Sequence, residues 1–149
     1  MGTANAYAGR AERFLAYLID AILLLVPVIL IVDVMGMAHV VILMSFLISL
    51  TYYTYFTASR WQATPGKRLL GLHVAHADGR AMGVRDALER YLAFVLPSLP
   101  LNASFIPENI AQSLVLGLSV LWFSPILFTE ERIGLHDRLC GTRVLAGRT

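Results

Sequence analysis

The sequence predicts an all-α membrane protein: four transmembrane helices folded as two hairpins, joined by a cytoplasmic loop that carries a small surface β-hairpin. Two observations lead there. Residues 14–59 and 91–131 contain no lysine or arginine, so all 12 basic residues fall in the N-terminus, the middle loop 60–90 and the tail 132–149. Each bare stretch is long enough for two crossings at roughly 20 residues apiece, and translocated segments shed Lys and Arg while cytoplasmic ones keep them. The composition agrees: 57% of residues are hydrophobic, 15% are charged and the mean hydropathy is +0.66, whereas a soluble domain carries about 25% charged residues. Four spans would occupy more than half of the chain, which leaves a single membrane domain over 1–149. Both termini and the middle loop are then expected in the cytoplasm, and the bacterial inner (plasma) membrane is the expected location. The formal charge of +2 matters through its sidedness. A basic face suits the anionic headgroups of a lipid bilayer, and nucleic acid is not an expected partner because the basic residues flank membrane spans.

Span 1 is expected over 14–32, interrupted by Asp20 and bent at Pro27. Asp33, Gly36 and His39 would form a short outer turn. Gly36-Met37-Ala38 resembles a signal-peptide cleavage site, but the apolar run is too long for an h-region, carries Asp20 and is followed at once by another span. Span 2, over 40–57, carries Ser45, Ser49, Tyr52 and Tyr55 at steps of four, three and three, which places them on one helical face. Such a stripe should look into the bundle, where ordinary interhelical hydrogen bonding accounts for it.

The loop 58–90 is expected to hold a strand over 70–77, a turn at Asp78-Gly79 and a return strand over 80–84. Thr64-Pro65-Gly66-Lys67 is a turn-forming run. It is not a phosphate loop, because Trp61 and Arg68 stand where that motif requires Gly and Ser or Thr. His73 and His76 point to opposite faces of a strand, and Cys140 is the lone cysteine, so no metal site is expected. Helix 3 should begin near Val84 on the membrane surface, with Arg85–Glu89 and Asp86–Arg90 pairs four residues apart. Span 3 would cover 91–106, kinked or unwound by Pro97 and Pro100. Asn109 and Gln112 form a capping-box-like start for span 4, over 110–128 with a bend at Pro125, and the tail is 129–149.

The two halves look related. Glu12–Ile19 aligns with Glu89–Leu96 at an offset of 77, and Arg68–Val74 aligns with Arg138–Val144 at an offset of 70, with four identities in each block. This is the pattern of a parallel internal duplication about an axis along the membrane normal. It matches Arg13 with Arg90, Asp20 with Pro97 and Lys67 with Asp137, and makes a Lys67–Asp137 contact across the axis an expectation.

Asp20 is the residue that most needs a cause. It lies seven residues beyond Arg13, about 10 Å deeper at 1.5 Å per residue, on the same face with Tyr17 between them. A direct Arg13–Asp20 contact is not expected; Tyr17, water or a residue from another segment would bridge. A carboxylate at that depth costs roughly 2.5–3.5 kcal/mol on insertion scales. It must therefore find a partner, a proton or an ion. Alternatively it is a buried polar clamp that sets helix register.

These blocks resemble the RDD family of membrane proteins: Arg13-x-x-Ala16-x-x-Ile19-Asp20, then Thr64-Pro65-Gly66-Lys67-Arg68-Leu69 with Gly71 and Val74. Asp78-Gly79, Arg90 and His136-Asp137-Arg138-Leu139 with Gly141, Thr142 and Val144 continue the likeness. The family is named for an arginine and two aspartates, here Arg13, Asp20 and Asp137. The resemblance implies transport of unidentified ligands, with cation/proton exchange linked to some members. The expected function is therefore movement of a monovalent cation or small solute, with protons as counter-ions and no cofactor. The polar cluster would comprise Arg13, Tyr17, Asp20, Lys67, Arg90 and Asp137, with Asp137 closing the cytoplasmic end against Lys67 or Arg90. Four helices offer little wall for a water-filled path, so a homodimer is expected. The rival expectation is a non-transporting scaffold or regulator that binds another membrane protein. No enzyme is expected, since no catalytic triad or metal-ligand spacing is present.

Overall fold

The computed structural model describes residues 7–35, 38–102, 105–130 and 133–147. The chain runs α1 (Arg10–Met35), α2 (Ala38–Ala58), α3 (Pro65–Leu69), β1 (Leu72–His76), α4 (Val84–Val95), α5 (Glu108–Phe123), α6 (Pro125–Phe128), α7 (Leu135–Leu139) and β2 (Thr142–Ala146). Among the described residues, three helical stretches are long and apolar enough to cross a membrane: Arg10–Val32, Val40–Ala58 and Glu108–Phe128. Most large apolar side chains on them are exposed, as lipid-facing surfaces require. The expected outer turn and cleavage site include Gly36 and Met37, which lie outside the described residues.

The third span is unwound at its prolines, as expected. α4 stops at Val95 and the chain continues as a 3₁₀ helix, Leu96–Asn102, with Pro100 inside it. Pro97 and Pro100 each remove an amide donor, so the α-helical ladder cannot run through them. Trp122 ties this region to α5 by donating from Nε1 to the Ala93 carbonyl at 3.0 Å.

The strand partner differs from expectation. β1 pairs antiparallel with β2 of the tail, and the expected return strand over 80–84 does not form. The Asp78-Gly79 turn is present, with the His76 amide donating to the Arg80 carbonyl at 3.0 Å. Beyond it the Gln62 side chain takes the backbone of Met82, its Oε1 accepting from the amide and its Nε2 donating to the carbonyl. Those groups are thus unavailable to a ladder.

α3–β1 and α7–β2 are the same unit used twice. Every bound of the second lies 70 residues after its counterpart, from Pro65 and Leu135 to His76 and Ala146. In each, a glycine ends the short helix in the left-handed region, Gly71 at φ 67 and Gly141 at φ 61, and turns the chain into the strand. Val74 opposes Val144, its own counterpart, so a local two-fold axis passes between them. Both valines are buried with Ala8, Ala16, Leu72 and Met82. The edge of β2 is covered by the N-terminal segment, where Tyr7 bridges to Leu145 and the Ala8 amide donates to the Val144 carbonyl at 3.1 Å. This layer packs where α1 and α4 begin, with α3 against α1 and α7 against α4.

Candidate functional site

Asp20 is 1% exposed and both of its oxygens are occupied. Oδ1 accepts from the Tyr52 hydroxyl at 2.7 Å and from the Gly66 amide at 2.8 Å, and Oδ2 accepts from the Thr64 hydroxyl at 2.5 Å. Thr64 is the N-cap of α3 and Pro65 the first helical residue, an arrangement whose φ suits a helix start. The Thr64 hydroxyl makes no cap of its own, because it points at Asp20. Asp20 thus caps α3 from another helix and receives the Gly66 amide, one of the orphan donors of the first turn. Gly66 permits this approach: a Cβ there would lie 2.3 Å from the Ala16 carbonyl oxygen. Three charge-assisted hydrogen bonds, each worth about 1.5–3 kcal/mol, latch α3 to α1 and α2.

Asp137, also 1% exposed, gathers the second node. Oδ1 accepts from Arg90 Nη1, and Oδ2 lies 3.4 Å from Arg13 Nη1. Arg90 also donates to Thr142 Oγ1 at 2.7 Å, and Arg13 Nη2 donates to the Val144 carbonyl at 3.0 Å. Arg13 and Arg90 are counterparts in the internal alignment, so one carboxylate of the second half joins the two halves. Burial by itself would raise the Asp137 carboxyl, but Arg90, with Arg13 beside it, holds it well below the usual carboxylate range.

Between the two nodes lies a cavity of about 600 Å³. Arg10, Arg13, Lys67 and Arg90 line it together with Asp20 and Asp137, and its remaining wall is largely aromatic and aliphatic. Tyr53 stacks on Tyr91 with centroids 5.5 Å apart, and Phe94 meets Phe123 at 5.5 Å and His136 at 5.6 Å. Lys67 makes no salt bridge among the described residues. Burial, with Arg90 nearby, pushes its ammonium down to about 8.

His136 sits edge-on to Phe94 and Phe123, and burial pushes it down to about 4. Between pH 6.5 and that value the unfolded chain binds a proton that the folded protein refuses. Stability should therefore fall as pH drops through this window, by roughly 3 kcal/mol. Melting in detergent should show a steeper decline from pH 7 to 4 for the native protein than for His136→Phe. Parallel curves would contradict this role for burial. Asp137, being depressed, contributes stability that is present above about 3.8 and lost only at more acidic pH.

The structure brings all six sequence-predicted residues to these nodes and their shared cavity. Arg13, Arg90 and Asp137 meet directly; Asp20 and Lys67 face the same cavity. No Lys67–Asp137 ion pair forms, because Arg13 and Arg90 already take both Asp137 oxygens. Tyr17 lines the cavity but does not bridge Arg13 to Asp20. It is 49% exposed and contacts Phe94, 6.1 Å between centroids, while Tyr52 of α2 supplies the phenol. Sequence reasoning also missed Thr64, Gly66, Thr142 and Arg10 as site residues. The signal for the first two was present: a Thr-Pro-Gly run marks a helix start whose free amide needs an acceptor.

Outside the cavity, the two strand histidines are occupied separately. His73 Nδ1 lies 2.9 Å from the Gly147 carbonyl oxygen, and His76 Nε2 lies 3.2 Å from Asp86 Oδ2.

The sequence profile of the RDD family matches residues 7–141. The chain is similar to the uncharacterized protein YxaI of Bacillus subtilis (strain 168), 30% identical over 164 aligned residues that cover 93% of this chain and 96% of the relative. No solved structure matches it.

Proposed function

The chain belongs to the RDD family, and from that premise we propose that it is a multi-pass membrane carrier that admits a small solute into the cavity between the Asp20 and Asp137 nodes. The observation that carries this reading is the cavity itself: about 600 Å³, lined by α1, α2, α4 and α5, with charged groups from α1, α3, α4 and α7 turned toward it. A site of that volume suits a small molecule.

In this reading the basic layer of α3, α7 and the sheet faces the cytoplasm with both termini, following the positive-inside rule. The fourth crossing is made by the end of α4 and the 3₁₀ helix Leu96–Asn102. From Tyr91 on, these rise about 20 Å at 1.5 and 2.0 Å per residue, less than the ~30 Å hydrocarbon core. A second copy of the chain would cover that short wall, which favours a homodimer. The repeated α3–β1 and α7–β2 units, related by a local two-fold axis, support a parallel duplication of the whole hairpin.

Asp20 is the element this mechanism turns on. As a carboxylate it accepts from three donors; a proton on it would weaken these charge-assisted bonds and make the Thr64 hydroxyl turn from donor to acceptor, which loosens α3 from α1. Proton uptake would thereby open the cavity. A monovalent cation is a harder cargo than an uncharged or anionic solute, because each carboxylate oxygen at the site already has a donor. The same saturation favours the second reading, a non-transporting scaffold in which Asp20 only holds helices together.

Flux in proteoliposomes separates the two. Under sodium, potassium, lithium and proton gradients, the carrier should show solute or ion movement that responds to the proton gradient. Asp20→Asn keeps an acceptor oxygen for Tyr52 and Gly66 but cannot take the proton. It should fold and lose the proton-driven component. Coupled flux that persists unchanged in Asp20→Asn would contradict the mechanism, and no flux under any gradient would favour the scaffold.

A further inference from the structure

Charge does not balance around the cavity. Among the described residues four cationic side chains line it, Arg10, Arg13, Lys67 and Arg90, against two carboxylates, Asp20 and Asp137. Arg10 lies at an exposed rim, so Arg13, Lys67 and Arg90 against the two carboxylates leave one cation in excess within the cavity. Asp20 is engaged by neutral donors, Tyr52, Thr64 and the Gly66 amide, and Asp137 already serves Arg13 and Arg90. His136 is neutral at physiological pH and contributes no charge. Burying an unmatched cation costs several kcal/mol, so a buried surplus requires an anion or solvent. Lys67 shows the strain most clearly, since it faces the cavity without a salt bridge and its ammonium is depressed.

The rest of the wall is greasy. Phe14, Tyr17, Val120 and Leu127 line the cavity and are each exposed. Arg10 reaches from α1 to α6, donating from Nε to the Ile126 carbonyl at 3.2 Å. The opening between α1 and α5–α6 is thus apolar outside and cationic inside. Guanidinium pairs fixed by a carboxylate, beside a flexible ammonium, are suited to a tetrahedral oxyanion.

We infer that the cavity is a binding site for a phosphate group carried on an apolar tail, an anionic lipid headgroup that enters sideways between α1 and α5–α6. Lys67 supplies the ion pair, with Arg13 and Arg90 presenting further N–H donors. The acyl chains lie along Phe14, Tyr17 and Leu127. This inference deepens the solute-binding reading and rests on its cavity, but not on transport: lipid could bind there in a protein that moves nothing.

The test is lipid binding by the purified full-length protein, measured by native mass spectrometry and by melting in detergent. The probes are phosphatidylglycerol, phosphatidylcholine and inorganic phosphate. Phosphatidylglycerol should bind at one site and raise the melting temperature by several degrees, whereas phosphatidylcholine should not. Lys67→Met should weaken phosphatidylglycerol by about tenfold or more, the loss of one charge-assisted contact. Lys67→Arg should retain it, and Arg85→Met, which removes a basic residue exposed elsewhere, should leave it unchanged. Equal binding of phosphatidylcholine would overturn the inference, as would equal losses in Lys67→Met and Arg85→Met. Inorganic phosphate displacing the lipid at equimolar concentration would show a free-anion site and overturn the lipid assignment. Lipid binding with no flux would refute the carrier and leave this site standing.

Discussion

Gly66→Ala should destabilise the protein by about 3–5 kcal/mol, although it adds one methyl group near a helix start. The new Cβ would fall 2.3 Å from the Ala16 carbonyl oxygen and 2.8 Å from Asp20 Oδ1. The first is backbone of a long helix and cannot swing aside, so α3 must retreat from α1. Retreat breaks the hydrogen bond that the Gly66 N–H donates to Asp20 and stretches the one from Thr64. Reduced entropy of the unfolded chain would return only about 0.4–1 kcal/mol. Gly117→Ala is the internal comparison. That glycine lies within α5, and a Cβ added to it would meet nothing within 4 Å, so the change should be neutral or stabilising by up to about 1 kcal/mol. Thermal melts of both variants in one detergent check the prediction, and similar melting temperatures would refute the close approach of α3 to α1.

Asp20→Ala should be comparably severe, again about 3–5 kcal/mol, through the opposite defect. Here nothing clashes. The Tyr52 and Thr64 hydroxyls and the Gly66 amide lose their shared acceptor in a place water reaches poorly. Asp20→Asn should cost less, about 1–2 kcal/mol, because the amide oxygen still accepts and the Thr64 hydroxyl can rotate to accept from the amide nitrogen. A graded series, native above Asn above Ala, is the expected outcome in unfolding measurements. Equal stability of all three would mean that the carboxylate is solvated from elsewhere.

Some of this arrangement was legible in the sequence, for physical reasons. Spans 1, 2 and 4 show themselves because lipid imposes long apolar runs, and Asp20 stands out against one of them. The stripe of Ser45, Ser49, Tyr52 and Tyr55 signalled an inward face, and one member, Tyr52, takes Asp20. Another, Tyr55, is 67% exposed, which helical spacing alone cannot distinguish. Tyr17, water or a residue from another segment could each answer Asp20 on the sequence alone, because spacing along one helix does not show which neighbour packs there; the partners come from α2 and α3. The return strand at 80–84 was suggested by a local turn, Asp78-Gly79. β1 instead finds a partner 70 residues away, a non-local choice that turn chemistry does not encode. The internal repeat did contain that pairing, since Val74 and Val144 were already aligned. Arg13 and Arg90 were aligned too, and their convergence on Asp137 needed only the observation that equivalent residues meet at a two-fold axis.

If the Asp20 carboxylate latches α3 to the membrane helices, a double-mutant cycle between Asp20→Ala and Tyr52→Phe must reveal coupling. In the native background Tyr52→Phe should cost about 1.5–3 kcal/mol, the loss of a hydrogen bond to a buried charge. In the Asp20→Ala background it should cost almost nothing, since the hydroxyl there has no acceptor to lose. The latch requires a coupling energy above about 1 kcal/mol. Additive effects, within about 0.5 kcal/mol, would rule it out.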